Sequence, residues 1–250
     1  MIDAIGDVLA AVVTLGDETV TADQAQLPTD CPGWTVHDQF AHIVGLEQVL
    51  NGAPEPAMEL PALAHVVTDL DRYMEKHVHI RRLLPFQSVV DELAGFLPRR
   101  MDTLYQTADE EGDPMVKGPF GERPLSVSLP VRVFDLWAHE QDIRRALSLP
   151  PRLDCDAARI SLSRSLVGWS KSLDGTLTGV NGLLEVIVEG DDEIEGISVR
   201  LGAGGPTVRL QGDVGQLTRA FCGRGEPDRS LFSGDETLID ALHGKLALTP

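Results

Sequence analysis

The sequence is poor in cysteine and has no long apolar run. Its three cysteines, Cys31, Cys155 and Cys222, lie far apart and form no CxxC pair, so they predict reduced thiols rather than a disulfide framework. No stretch of about 18 apolar residues occurs, and no transmembrane helix is therefore predicted. The first residues include Asp3 and Asp7, where a signal peptide would carry basic residues. We therefore expect a cytoplasmic protein.

The chain also lacks an excess of positive charge. Lys and Arg total 21 against 39 Asp and Glu, which gives a formal net charge of −18. Neither half of the chain is basic, so the sequence predicts no electrostatic surface for nucleic acid or for an anionic membrane, and we expect neither as a partner. Hydrophobic residues make up 42% and charged residues 24%, which is typical of a packed globular protein.

The length and the residue pattern indicate two domains. Apolar residues recur at helical spacing through 1–150, which predicts an N-terminal helical bundle. After the LSLPP segment the pattern changes to one helix, Gly-rich turns and β-type runs, so 151–250 is predicted to be a small α+β domain with a mostly antiparallel sheet. The predicted helices of the first domain are 2–14, 35–50, 62–80, 86–107 and 130–147, and the predicted strands are 183–190, 196–202 and 206–212.

The strongest functional signal is a set of polar residues on the last predicted helix of the first domain. Asp135 and His139 are four positions apart and share a face, with Asp142 one turn further on. That face is otherwise largely apolar, and a buried carboxylate or imidazole is costly unless it is paired or binds a metal. The spacing therefore predicts either a metal-ligand pair or a structural Asp–His hydrogen bond. Asp142 is expected to orient a ligand histidine, to bridge the two domains through Arg144 or Arg145, or to form a salt bridge within the helix.

A further histidine on an apolar helix face comes from the segment GWTVHDQFAHIVGLEQVL (33–50). Thr35 and Asp38 predict a capping box at the start of this helix. His42 lies on the apolar face, whereas His37 points roughly the other way and is expected to be solvated. Two histidines and one carboxylate from two helices would give a divalent metal three protein ligands and leave positions open for water or substrate.

Other candidate residues have plainer interpretations. Trp34 and Trp137 are expected in the core rather than as rings that stack on a substrate. His77 and His79 are two positions apart, so they do not face each other on a helix. The HVHIRR run (77–82) is accordingly interpreted as a solvated, mildly basic patch.

Two segments, CPGWTVHDQFAHIVGLE (31–47) and VRVFDLWAHEQDIRRAL (131–147), together resemble a known family. They are similar to the mycothiol-dependent maleylpyruvate isomerases, which belong to the DinB/YfiT-like metal-binding bundle superfamily. The resemblance implies a DinB-like four-helix bundle followed by the small α+β domain of that family. Carried over to this chain, the first and last metal histidines of the family fall on His42 and His139. The central carboxylate, commonly Glu, falls on Asp135, whose shorter side chain puts the position and the choice of metal in question.

The resemblance also implies a residue for the thiol. The segment DVGQLTRAFCGRGEP (213–227) is similar to a family segment that ends in Gly-Arg, and in characterised relatives an arginine of this domain faces the metal cleft. Arg224 is therefore the candidate catalytic and thiol-binding residue, and Arg219 is a second candidate for thiol binding. The plain alternative is that Arg224 caps the carbonyl groups of the preceding helix.

These inferences predict an S-transferase or isomerase that uses a divalent metal, expected to be zinc, and a low-molecular-weight thiol. The metal would lower the pKa of the thiol, which the family implies is mycothiol, and the thiolate would attack a small electrophilic substrate. Two other classes stay open: a metal-dependent hydrolase, in which the same ligands activate water, and a non-catalytic small-molecule binding module. The protein itself is expected to be a monomer or a small homo-oligomer.

Overall fold

The computed structural model describes the chain except for residues 120, 177–178, 191–193, 195, 226, 244 and 248–250 and the side chains of 169–176. The chain divides into two compact units, Met1–Pro151 and Arg152–Pro250. The helices are α1 (Ile2–Glu18), α2 (Val36–Leu50), α3 (Asp69–His79), α4 (Phe86–Ala108), α5 (Leu125–Ala146), α6 (Asp156–Thr176), α7 (Val214–Phe221) and α8 (Glu236–Leu242). The strands are β1 (Met115–Val116), β2 (Arg123–Pro124), β3 (Gly182–Glu189), β4 (Ile197–Leu201), β5 (Thr207–Asp213) and β6 (Phe232–Gly234).

The first unit consists of α1 to α5 and a short antiparallel ribbon of β1 and β2. Helix α1 packs against α4 and α5, and α2 packs against α3, α4 and α5. Because α2 has neighbours on several sides, every residue from Val36 to Glu47 is buried. A helix that is buried all round carries its polar residues into the interior, and this is how His42 reaches the core. Large buried side chains of this core include Ile5, Leu9, Phe40, Ile43, Leu93, Leu136 and Trp137.

Capping boxes begin α2 and α3. The predicted box on α2 is confirmed: Thr35 Oγ1 accepts from the backbone N–H of Asp38 at 3.3 Å, and Asp38 Oδ2 accepts from the backbone N–H of Thr35 at 3.0 Å. The same arrangement of Thr68 with Asp71 begins α3. The prediction that this helix begins at residue 62 was wrong: it begins at Asp69, because Thr68 Oγ1 accepts from the backbone N–H of Asp71 and fixes the start there.

Helix α5, which carries two of the candidate site residues, begins a turn earlier than predicted. The prediction was a start at Pro130, but the helix begins at Leu125 and Pro130 lies inside it. Asp113 explains the earlier start, because its carboxylate accepts from the backbone N–H of Ser126 at 3.0 Å and from the Ser126 hydroxyl at 2.6 Å. One free N–H group of the first turn is thereby satisfied.

The second unit contains α6, α7, α8 and a four-stranded sheet with strand order β4-β3-β5-β6. β3 pairs antiparallel with β4 and parallel with β5, and β5 pairs antiparallel with β6. The sheet is therefore mixed, with antiparallel pairs predominating. Because β4 and β5 lie on opposite sides of β3, the segment that joins them must cross the start of β3. Glycine makes room for this crossing, since a Cβ atom on Gly202 would lie 2.3 Å from Asn181 Oδ1.

None of the helices in the described ranges combines the length and the apolar character needed to cross a bilayer.

Candidate metal centre

Three side chains from two helices meet inside the first unit. His42 of α2 and Asp135 and His139 of α5 each offer one ligand atom, and these atoms all lie within 4.8 Å of one another. Among the residues that the structure describes, no other group of three or more His, Cys, Asp or Glu side chains meets this condition. The structure thus brings together the three residues that the sequence singled out as metal ligands.

The spacing of the donor atoms fits a small divalent cation. Asp135 Oδ2 lies 3.4 Å from His42 Nε2, and Asp135 Oδ1 lies 3.5 Å from His139 Nε2. The two imidazole centroids are 4.5 Å apart. In a tetrahedral site with metal–ligand bonds of about 2.1 Å, neighbouring ligand atoms are about 3.4 Å apart. These separations between the carboxylate oxygens and the two imidazole nitrogens are compatible with a small divalent cation.

The cluster combines buried imidazoles with an accessible carboxylate. His42 and His139 are 1% and 6% exposed, whereas the Asp135 side chain is 27% exposed, so the cluster is reached from the Asp135 side. Asp142 Oδ2 lies 3.6 Å from His139 Nδ1, on the opposite edge of the ring from Asp135. The pair is an i,i+3 contact within α5 and is too long for a hydrogen bond, so the predicted roles of Asp142 stay predictions.

The electrostatics of the cluster favour the ligand form of His42 and of Asp135 but stabilise the protonated form of His139. Burial, followed by the charge of His139, lowers the pKa of His42 to about 4, so His42 is neutral at neutral pH. Burial opposes ionisation of Asp135, but Arg132 and then His139 outweigh it and hold the pKa of this carboxyl well below its usual range. Burial acts to lower the pKa of His139, but Asp135 and Asp142 outweigh it and raise the pKa. A cation that binds here would therefore compete with a proton for His139.

The indole of Trp34 forms a wall of the cluster. Its ring centroid lies 5.0 Å from that of His42 and 5.8 Å from that of His139, and Nε1 donates to Glu75 Oε2 at 2.8 Å. The predicted core position of Trp34 is confirmed, since the residue is buried. The sequence did not indicate that the same ring also covers both histidines.

Buried charged residues beside the cluster were missed by the sequence analysis. Arg132 Nη1 donates to Asp135 Oδ2, and Arg132 Nε donates to Glu47 Oε1 at 2.5 Å. Arg100 of α4 donates through Nε to the other oxygen of Glu47. The only local signal is that Arg132 and Asp135 are three positions apart on one helix. The contacts with Glu47 depend on how α2, α4 and α5 pack.

Two predictions of solvated residues were wrong. His37 is buried, and its ring packs edge-on to Phe86 with centroids 5.8 Å apart. In the basic run on α3 and just after it, His77 and Arg81 are buried as well. The reason is a close approach of α3 to α2: a Cβ atom on Gly45 would lie 2.7 Å from His77 Cβ. Such a contact brings the polar residues of α3 into the interior.

The two candidate thiol-binding arginines lie in the second unit, near the C-terminal end of α7. Arg224 is buried, and its Nη1 donates to the carbonyl oxygen of Cys222 at 3.1 Å. The backbone N–H of Arg224 donates to the carbonyl oxygen of Arg219 at 3.2 Å. These contacts are those of an arginine that caps the end of a helix, and the roles of both residues in thiol binding stay predictions.

Comparisons with known proteins place the chain in a family. Residues 5–144 match the family described as the mycothiol maleylpyruvate isomerase N-terminal domain. An uncharacterised protein of Mycobacterium tuberculosis, in strains CDC 1551 / Oshkosh and ATCC 25618 / H37Rv, is 30% identical over 152 residues, which cover 60% of this chain and 70% of the relative. Crystal structures of the mycothiol-dependent maleylpyruvate isomerase and of its histidine-to-alanine variant share the fold, with TM-scores of 0.60 and 0.58, 16% identity and 90% of both chains covered. The chain therefore belongs to the mycothiol maleylpyruvate isomerase N-terminal domain family.

Proposed function

We propose that this protein is a metal-dependent S-transferase or isomerase that uses mycothiol on a small electrophilic substrate. The observation that carries the proposal is the cluster of His42, Asp135 and His139, whose donor atoms all lie within 4.8 Å of one another, at separations that a divalent cation such as zinc can span. Membership of the family supports the thiol chemistry, because the enzyme for which the family is named depends on mycothiol. A divalent ion held by these residues would lower the pKa of a thiol, so that the thiol reacts as a thiolate at neutral pH.

The residues around the cluster support this assignment because they cover the ligand rings on one side, contact one of them and leave a path for substrate. Trp34 covers both imidazoles on one side, and Asp142 lies against the far edge of the His139 ring. The partly exposed Asp135 leaves a route by which a small thiol and its substrate reach the ligands. Arg224, with Arg219 as the second candidate, is proposed to bind a carboxylate of the thiol or of the substrate.

The finer architecture belongs to the same proposal. Helices α1, α2, α4 and α5 pack pairwise around the core of the first unit, and we assign them to the DinB-like four-helix bundle that binds the metal. The second unit, with its mixed four-stranded sheet, is assigned to the α+β domain of the same family. This division gives the first unit the metal ligands and the second unit the candidate thiol-binding arginines.

One contact favours a different function. Arg132 donates to Asp135 Oδ2, so a side-chain cation already neutralises the carboxylate of the cluster. A buried Asp–His–Arg arrangement of this kind also occurs as a purely structural network, and Asp replaces the Glu that is usual in the family. A non-catalytic small-molecule binding module is therefore the second candidate.

Thiol dependence of the zinc-loaded protein separates these possibilities. Conjugation or isomerisation of an electrophile is measured with mycothiol, without any thiol, and with the His42→Ala variant as the matched control. The proposal predicts turnover that requires both zinc and mycothiol and is lost in the variant. Turnover without thiol would identify a metal-dependent hydrolase. Equal affinity of the zinc-depleted and zinc-loaded proteins for mycothiol would contradict the proposal and favour the binding module.

A further inference from the structure

We propose that Arg132 is a positioning residue of the metal centre, and that the buried Glu47 allows it to hold Asp135 without repelling a divalent cation. This inference rests on the proposed function, because it concerns how the metal ligands are oriented. It assigns a role to two charged residues that the spacing of the ligands alone does not reveal.

The contacts form a bridge between the two helices that carry the ligands. Arg132 lies one turn before Asp135 on α5, and its Nη1 donates to Asp135 Oδ2. Its Nε donates at 2.5 Å to Glu47 Oε1, and Glu47 lies on α2, the helix of His42. Arg132 is 6% exposed and Glu47 is fully buried. The bridge therefore fixes where Asp135 lies relative to the helix that supplies His42.

The guanidinium also fixes the rotation of the carboxylate. The terminal torsion of an aspartate is broad, so the two oxygens of an unsupported Asp135 would exchange readily. The hydrogen bond from Arg132 holds Oδ2, which leaves Oδ1 directed towards His139 at 3.5 Å. Carboxylate ligands in metal sites are commonly held by such outer hydrogen bonds. Support of this kind matters more for Asp135 than for Glu, because the shorter side chain has less reach.

Glu47 resolves the electrostatic conflict in this arrangement. A lone guanidinium beside a divalent cation would oppose its binding. Here Glu47 accepts from Arg132 through one oxygen and from Arg100 through the other. With Asp135, these side chains comprise two cations and two anions, so the network is neutral before a metal binds. Arg132 therefore donates to Asp135 while Glu47 balances part of its charge on its other edge.

The test is the zinc affinity of the full chain, measured by competition with a chromophoric chelator. Replacement of outer hydrogen-bonding partners lowers metal affinity by roughly 10- to 100-fold, and we expect a loss of this size for Arg132→Gln. Glu47→Gln should lower the affinity as well, because it leaves the charge of Arg132 unbalanced. In the Arg132→Gln background, Glu47→Gln should have little further effect, since the two residues act through one bridge.

Arg100→Gln is the matched control, because Arg100 also donates to Glu47 but Asp135 is contacted by Arg132. It should lower the unfolding temperature of the metal-free protein without lowering the zinc affinity, because Arg132 keeps both of its partners. If Arg132→Gln does not fold, Arg132→Lys replaces it, and this variant should also bind zinc more weakly because one amino group cannot bridge both carboxylates. Equal zinc affinities of the wild type and both Arg132 variants would overturn the inference alone. A wild type that binds no zinc would instead overturn the proposed function.

Discussion

At the scale of single residues, Asp135 contacts both histidines of the cluster and also accepts a hydrogen bond from Arg132. Its pKa is held well below the usual range, chiefly by Arg132 against the effect of burial. Asp135 is therefore an anion at neutral pH, as a metal ligand must be.

Two substitutions of Asp135 test separately how the charge and the length of its side chain affect zinc binding. Asp135→Asn keeps the size of the side chain but removes the charge, so zinc affinity should fall by at least roughly 10-fold. Asp135→Glu keeps the charge and lengthens the side chain by one methylene group, so it should retain one zinc per chain. Chelator competition on both variants checks this prediction. Tight zinc binding by the asparagine variant would show that the carboxylate is not a ligand.

His77 should make the stability of the protein depend on pH. Burial, followed by the charges of Arg81 and Lys76, lowers the pKa of His77 to about 4, whereas in the unfolded chain it is about 6.5. Below about pH 6.5 the unfolded state binds a proton that the folded state excludes, so stability falls as the pH falls. Between about pH 7.5 and about pH 5 the loss from this residue should be about 2 kcal/mol.

Urea unfolding of the wild type and of His77→Leu at both pH values measures this contribution. His77 Nε2 is buried and has no hydrogen-bond partner among the described residues, so leucine removes the titration without leaving a partner unpaired. The variant should lose less stability than the wild type between the two pH values. Equal losses in the two proteins would show that His77 does not titrate in this way.

At the scale of secondary-structure elements, a buried carboxylate on α3 connects that helix to the wall of the site. Glu75 is buried; it accepts from Trp34 Nε1 at 2.8 Å and also pairs with Arg82. His65 Nε2, from the segment that joins α2 to α3, lies 3.0 Å from Glu75 Oε2. The position of the Trp34 ring over the two histidines thus depends on the position of Glu75, and therefore on how α3 packs.

Trp34→Phe tests this connection, because it keeps an aromatic ring but removes the N–H group. The hydrogen bond goes to a charged group, so its loss should lower the free energy of unfolding by about 1.5–3 kcal/mol. Zinc affinity should change little, since Trp34 covers the ligands without being one. Chemical denaturation and chelator titration give the two quantities. Unchanged stability would show that Glu75 is satisfied without Trp34.

Features that depend on one helix could be predicted from the sequence, whereas features that depend on the packing of two helices could not. Local spacing was enough for the capping box at Thr35 and for the shared face of Asp135 and His139, because both depend on neighbours within one helix. The bridge from Arg132 to Glu47 joins residues 85 positions apart and depends on how two helices pack. The burial of His77 depends on Gly45, whose lack of a side chain lets α3 approach α2 closely. The apolar periodicity of one helix does not show which residue of another helix it will meet.

At the scale of the whole molecule, the proposal divides the chemistry between the two units. The metal ligands lie in Met1–Pro151 and the candidate thiol-binding arginine lies in Arg152–Pro250. Arg224→Gln should therefore leave zinc binding intact but lower mycothiol-dependent turnover by roughly 100-fold, the effect of losing one donor that stabilises charge in a reaction. Arg219→Gln, the matched control near the end of the same helix, should have a smaller effect.

Steady-state kinetics and metal content of both variants check this division. Full activity of the glutamine variant at 224 would assign Arg224 to helix capping through its contact with Cys222. Loss of zinc together with activity would also contradict the division, because it would make the second unit necessary for the metal site itself.

The most direct test of the central claim is the metal content of the purified protein, measured by elemental mass spectrometry beside a His42→Ala, His139→Ala double variant. The account predicts about one zinc, or another divalent metal, per chain in the wild type and none in the variant. A wild-type protein that stays metal-free after incubation with zinc would contradict it. The network of Asp135 with Arg132 and the two histidines would then be structural, and the protein would be a binding module.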